Sequence, residues 1–339
     1  MAGRNVTMRD VARVAGVTQS TVSRVLSATD SGIVVSDTTR DRVLAAVKEL
    51  GYHPNQHAQT LRGGRTKMIA ILVADITNPF YHPLVRSVQD VAFEHGYDVM
   101  IANSDHTPER ERLFVESLVR RPVDGAVIIP YYLGADELDE LMSRTGVAIA
   151  CVGFRVDHPR IDVSSTDDGR ASYELVRWLV EERGHRRLAM ICANRDFIVT
   201  QHRLAAFERA LGDSGLDLPA DYVFEGEWTV ETGQRGIERL LSLPKPPTAV
   251  FAASDTIAIG ALEAAEAMGR RVPEDVAIVG FDDIPEARWV RPRLTTVAQY
   301  PAVMGERLAT ALFDRILVNP DAERRVFEVP YKIVVRESA

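Results

Sequence analysis

Cysteine is almost missing from this chain. Of its 339 residues only Cys151 and Cys192 are cysteines, each inside an apolar run (148–152 and 189–193). Two thiols so placed give no disulfide framework and no zinc-ligand spacing, and they fit a reducing compartment. Long apolar runs are missing too. No stretch approaches the roughly 18 uninterrupted apolar residues of a membrane helix. Residues 1–10 carry charge and lack the apolar core of a signal peptide, so a cytoplasmic protein without a membrane partner is expected. A glycine fingerprint is lacking after the first apolar run of the body, where Ala74-Asp75-Ile76-Thr77-Asn78-Pro79 stands, and no Gly-x-x-x-x-Gly-Lys-Ser/Thr run occurs. His53, His57, His82, His95 and His106 are scattered, with no metal spacing and no nucleophile–base pairing. These absences argue against a nucleotide-dependent or metal-dependent enzyme; no cofactor is expected.

What is present is ordinary globular composition, 46% hydrophobic and 26% charged. At about 100–200 residues per domain, two or three domains are expected. The net charge of −8 is unevenly spread. Residues 1–67 hold ten Lys/Arg against five Asp/Glu, a net of +5, and the remainder holds 30 against 43, a net of −13. A small basic head on a large acidic body points to a head that meets polyanions.

The head patterns as three short helices. Thr7 can cap the first, with Asp10 at the capping-box position, and Val11, Val14 and Ala15 supply one apolar face. Gly16 ends it. Thr18 is a second cap candidate, and Val22, Val25 and Leu26 form the next face, which is helix-turn-helix spacing. A third helix starts at Ser36, carries Val43, Val47 and Leu50 inward and stops at Gly51. In such a unit the second helix enters the major groove through its N-terminal residues, here Thr18, Gln19, Ser20, Thr21, Ser23 and Arg24. Gln can pair with adenine, Arg with guanine, and hydroxyls can hold phosphates.

These residues carry a resemblance. Thr7-Met8-Arg9-Asp10-Val11-Ala12, Ala15-Gly16-Val17-Thr18, Thr21-Val22-Ser23-Arg24-Val25-Leu26, Gly51-Tyr52-His53-Pro54-Asn55 and Ala58-Gln59-Thr60-Leu61 resemble the lactose-repressor/galactose-repressor family of bacterial transcription factors. The resemblance implies a helix-turn-helix domain over 1–53 that binds double-stranded operator DNA, with Thr7 among its contacts. It implies a hinge helix and linker over 54–66, folding on operator and touching it through Asn55, His57, Ala58 and Leu61. Leu61 matches the leucine that family members wedge between base pairs, a kink offset by wider contact. The 27–35 loop departs from the family in being longer.

From Lys67 the period changes. A continuous apolar run at 68–73 and further strand-like runs at 97–101, 125–129, 147–152, 188–191, 249–252 and 276–279 alternate with helical patterns, as in a doubly wound α/β body. The pattern repeats in two halves, about 68–162 and 163–290, with a return segment from 295. It resembles the periplasmic sugar-binding-protein architecture, two α/β lobes closing on a small molecule, so 67–339 is expected to be an effector-binding and dimerisation domain.

Ligands in such sheets bind beyond the carboxyl ends of strands. Residues following the runs there include Asn78, Phe80, Tyr81, Phe154, Arg203, Trp228, Ser254, Asp282 and Gln299. The four aromatics can pack an apolar ligand face, and the five polar residues can satisfy its edges. The resemblance marks Arg203, Asp282 and Trp228 as effector-binding positions. It departs at Ser254 and near Gly153-Phe154, which argues against a plain hexose or pentose. Asp255 reads as a helix cap, Phe281 as core and Asp283 as an ion-pair partner. Helix 255–268 and the segment Arg288-Trp289-Val290 are candidate dimer surfaces. The last residues show no leucine heptad, so no coiled-coil seam is expected.

The sequence thus reads as a non-enzymatic, cytoplasmic, homodimeric transcriptional regulator of repressor type. A small-molecule effector, a carbohydrate or related metabolite, would control its operator affinity allosterically. An exported sugar-binding protein would not carry the basic head.

Overall fold

The computed structural model describes residues 6–26, 35–52 and 64–339. Asn55, His57, Ala58 and Leu61, the hinge-helix expectation and most of the 27–35 loop lie outside the described residues. The chain divides into two compact units, Met1–Thr66 and Lys67–Ala339.

In the first unit, α1 (Met8–Ala15), α2 (Gln19–Leu26) and α3 (Asp37–Leu50) form a small bundle. Thr7 caps α1 by a capping box. Its hydroxyl oxygen accepts from the Asp10 amide, and the Asp10 carboxylate accepts from the Thr7 amide at 3.0 Å. Gly16 takes a left-handed φ of 64° to turn the chain, a conformation that side chains with a Cβ disfavour. The Thr21 amide then donates to the Thr18 hydroxyl at 3.2 Å, starting α2. Val11, Ala12, Ala15, Val22, Val43, Ala46 and Tyr52 form the core. Val14, expected inward, is 45% exposed. Ala12 takes the inward place, because Val11, Ala15 and Ala12 fall within one arc of about 100° on the helix and Val14 falls about 60° outside it.

In the second unit, one sheet has the order β11-β5-β4-β3-β1-β2, all parallel. Its strands are β1 (Met68–Val73), β2 (Asp98–Asn103), β3 (Gly125–Ile128), β4 (Ala148–Val152), β5 (Asp162–Ser165) and β11 (Val326–Glu328). One face is covered by α4 (Tyr81–Glu94) and α11 (Pro301–Leu317), the other by α5 (Pro108–Arg120) and α6 (Ala135–Thr145). The second sheet, β7-β6-β8-β9, is also parallel. It comprises β6 (Leu188–Ala193), β7 (Val223–Gly226), β8 (Ala249–Ala252) and β9 (Ala277–Val279). It lies between α7 (Asp168–Glu181) with α8 (Ile198–Asp213) and α9 (Val230–Leu241) with α10 (Asp255–Ala267). A short antiparallel pair, β10 (Thr296–Ala298) and β12 (Lys332–Val334), joins this lobe through bridges at Val279–Thr295 and Asp282–Ala298. Both-face burial explains why inner strands such as β1, β6 and β8 read as unbroken apolar runs.

The halves differ from the sequence expectation. β5, expected in the second half, pairs in the first sheet, and the return segment is shared. α11 and β11 pack on the first lobe, whereas β10 and β12 belong to the second. The chain therefore crosses between lobes at 166–167, 299–300 and 329–331. The Thr166 hydroxyl donates to the Gln299 carbonyl at 3.4 Å, tying two of the crossings together.

Candidate functional site

Both sheets have a topological switch point, between β1 and β3 in the first and between β6 and β8 in the second. Crevices open outside the carboxyl ends of strands at such points. Here the two crevices share one cleft. Its empty space, solvent mouth included, is about 890 Å³.

All nine body residues singled out from the sequence line this cleft: Asn78, Phe80, Tyr81 and Phe154 from the first lobe, Arg203, Trp228, Ser254 and Asp282 from the second, and Gln299 from a crossing. Arg203 departs from its expected place at a strand end; it sits on the second turn of α8. Sequence reading missed His106, Tyr131, Arg155, Ser165, Thr166 and Asp168, which line it as well.

Arg203 is the electrostatic centre. It is 4% exposed. Its Nη2 donates to Asp168 Oδ1 at 2.8 Å, its Nε to the same oxygen at 3.2 Å and its Nη1 to the Ala253 carbonyl at 2.5 Å. Its guanidinium also stacks 3.8 Å from the Phe281 ring centroid. Burial opposes its charge, but Asp168 and Asp282 more than offset this and hold the guanidinium above its ordinary range. Asp282 carries φ of 127° and accepts from Gln299 Nε2 at 2.6 Å. Burial pushes its carboxyl well above the usual range, against the pull of Arg203.

The loop that presents Asp282 is held from beneath. Asp255, wholly buried, accepts from the Ile284 amide at 2.9 Å and the Thr296 hydroxyl at 2.5 Å. Burial raises its carboxyl to about 7. Gly280 is required beside it, since a Cβ there would lie 2.2 Å from Asp255 Oδ1. Asp255 does not cap α10, contrary to expectation. Ser254 does, its hydroxyl accepting from the Ile257 amide at 3.3 Å, because Asp255 is one residue inside the helix and turned to the loop. Phe281 is core and Asp283 pairs with Arg288 and Arg336, as the sequence suggested.

The first-lobe wall is aromatic. The Tyr81 and Tyr131 hydroxyls lie 3.3 Å apart, and burial raises the Tyr131 phenol to about 12. Trp228 Nε1 and Ser165 Oγ are buried without a hydrogen-bond partner among the described residues. Buried donors of this kind want an acceptor. The cleft therefore offers flat apolar faces, a paired Arg–Asp centre and unfilled donors, which suits a small polar molecule with an apolar side.

In the head, Gln19, Ser20 and Arg24 are exposed on α2, and Thr21 and Ser23 are half-buried. The Thr18 hydroxyl lies 2.8 Å from that of Ser20 and 2.9 Å from that of Thr21. An exposed helix start rich in hydroxyls, Gln and Arg is the chemistry of major-groove readout.

Residues 7–55 match the bacterial regulatory proteins of the lacI family, and residues 179–339 match a periplasmic binding protein-like domain. The chain is 31% identical over 332 residues to the HTH-type transcriptional repressor PurR of Mannheimia succiniciproducens, with 98% of each chain covered. It belongs to the lacI family. As a member it is a DNA-binding transcriptional regulator with a helix-turn-helix head and a periplasmic-binding-protein-like body. Two solved structures are similar over nearly the whole chain. The transcriptional regulator CelR–cellobiose complex is 32% identical, covers 99% of this chain and 100% of its own, and has a TM-score of 0.72. The Lac repressor bound to ONPG in its repressed state is 26% identical over 99% and 100% of the two chains, with a TM-score of 0.84. No helix among the described residues is long and apolar enough to cross a membrane.

Proposed function

We propose that this lacI-family chain is a cytoplasmic homodimeric repressor, without catalytic activity, whose operator affinity is set by a carbohydrate or related metabolite in the body cleft. The carrying observation is that the cleft draws its lining from both lobes. A ligand there touches two bodies whose relative position can change. It therefore favours one lobe arrangement by its differential affinity. In a dimer that difference alters the spacing of the two hinges and the ordering of the hinge helices on DNA.

The roles follow from the chemistry. Phe80, Tyr81, Phe154 and Trp228 pack the apolar face of the effector. Asn78, Ser254, Asp282 and Gln299 meet its polar edge, and Arg203 orients it from the Asp168 pair. On DNA, Gln19, Ser20 and Arg24 read base edges, Thr7, Thr18, Thr21 and Ser23 hold phosphates, and Asn55, His57, Ala58 and Leu61 act in the minor groove. The second copy is supported by exposed apolar side chains: Trp289 is 69% exposed beside Val290, and Ile101, on edge strand β2, is 45% exposed. The relatives' bound cellobiose and ONPG favour a sugar-like effector over a macromolecule.

The experiment is selection of an operator from random duplexes by the full chain. A titration of that operator complex with sugars and nucleosides follows. A selected pseudo-palindrome whose affinity shifts with one compound class supports the reading. Selection of no sequence, or an affinity that no ligand of the cleft changes, defeats it.

A further inference from the structure

Phe197 stands at the N-cap of α8 and is 2% exposed, yet it is not part of either hydrophobic core of the lobe that carries it. The rings that bury it belong to the other lobe. Its centroid lies 4.9 Å from Tyr131 at 79°, 5.7 Å from His106 and 6.1 Å from Tyr132 at 80°. His106 and Tyr131 meet each other edge to face at 4.5 Å. Such edge-to-face geometry is favourable beyond the area it buries.

The socket is assembled by its own lobe alone. Glu111, on α5, is wholly buried and accepts three successive amides, Tyr131 at 2.7 Å, Tyr132 at 3.0 Å and Leu133 at 2.7 Å. Arg155 grips the same loop from its carbonyl side, donating to Tyr132 at 2.8 Å and Leu133 at 3.3 Å. On the facing loop, Asp105 and His106 both adopt left-handed φ values, 46° and 53°. Two such residues in succession are costly and persist only where the surroundings hold them. Amides of Ser104 and Asp105 do so, donating to Val73 and Ala74 at 2.9 and 2.7 Å. A preformed socket in one lobe and a single ring from the other make a contact that lobe opening must break.

We propose that Phe197 in the His106–Tyr131–Tyr132 socket is an interlobe latch that sets how readily the cleft opens, and so how tightly its ligand is held. Glu111 is the positioning residue that keeps the socket in shape. The inference rests on the reading of the cleft as a ligand site, but its test needs no ligand. Trp178 and Trp289 are replaced by Phe in the full chain, leaving Trp228 in the cleft as the sole tryptophan. Acrylamide quenching of Trp228 then reports opening.

Phe197→Ala should raise the quenching constant several-fold with a cooperative melt retained. His106→Ala, on the opposite lobe, should do the same. The double variant should exceed neither single by much, because one contact is lost only once. Glu111→Gln should raise quenching when Phe197 is present and leave it unchanged in the Phe197→Ala background, which a general loss of stability would not do. Wild-type quenching in a folded Phe197→Ala, or additive effects of the two changes, overturns the latch. If Phe197→Ala does not fold, His106→Ala decides by the same readout. Raised quenching alongside a failed ligand titration would count against the ligand reading and leave the latch standing.

Discussion

Asp168 Oδ1 lies 2.8 Å from Nη2 of Arg203 inside the cleft, with both side chains largely withdrawn from solvent. This pair turns the arginine expected to meet the effector into a structural element too. Its guanidinium is already engaged by a carboxylate and a carbonyl. The sequence alone suggests that Arg203→Ala removes the effector response and spares the fold; the pairing changes that expectation.

Asp168→Ala leaves Arg203 buried without its nearest counter-charge. Removing one partner of such a pair costs about 3–5 kcal/mol. Urea unfolding of the body should show this loss. Asp282→Asn keeps the shape of its side chain and its bond to Gln299, so it should lose effector affinity with little change in stability. Equal stability losses for the two variants would contradict the division of roles.

Asp255 gives the protein a pH dependence of defined sign. Its carboxyl titrates at about 7 when folded, against an ordinary value of 3.8. Between these the folded chain holds a proton that the unfolded chain has released. Its stabilisation is therefore full below the unfolded value and is lost as pH rises through the folded one, at up to about 1.4 kcal/mol per pH unit. Asp255→Asn should flatten this contribution. Urea midpoints at about pH 5 and about pH 7 for both proteins check it, and parallel slopes would contradict it.

The alternation of apolar runs and helical faces was legible because both faces of each sheet are covered. Eight of the nine cleft residues were legible because they come after strands; Arg203, on the second turn of α8, was marked by the family resemblance instead. Tyr131, His106 and Phe197 were not singled out, although the same rule reaches the ends of β2 and β3, where His106 and Tyr131 stand. Asp168 was hidden for another reason. It opens a helix after a lobe crossing, and nothing local in the sequence says which sheet a strand such as β5 joins. Val14 and Asp255 were misread because one residue of helical phase decides between core, cap and surface.

On DNA, Arg24→Ala should cost about 1–3 kcal/mol and relax preference at one base pair if Arg24 reads a base. Binding to a panel of single-substituted operators separates this from a phosphate contact, which would weaken all of them alike. Leu61→Ala should reduce operator bending and specific affinity while sparing non-specific binding, because a wedge acts only at a deformable step. Unchanged bending would make Leu61 a linker residue.

Operator affinity should fall steeply with salt despite the net charge of −8, because residues 1–67 carry +5. The log–log slope should be about −0.9 per neutralised phosphate. A flat profile would remove the electrostatic role of the head.

The most direct test of the whole account is operator anisotropy titrated with the compound that emerges from the ligand screen, using the full chain and Asp282→Asn side by side. The account predicts that the compound shifts operator affinity of the parent chain at least about tenfold, which is 1.4 kcal/mol of coupling. It also predicts that Asp282→Asn binds operator as well as the parent but responds only at much higher ligand concentration. An undiminished response in Asp282→Asn, or a ligand that binds the body and leaves operator affinity unmoved, would contradict it.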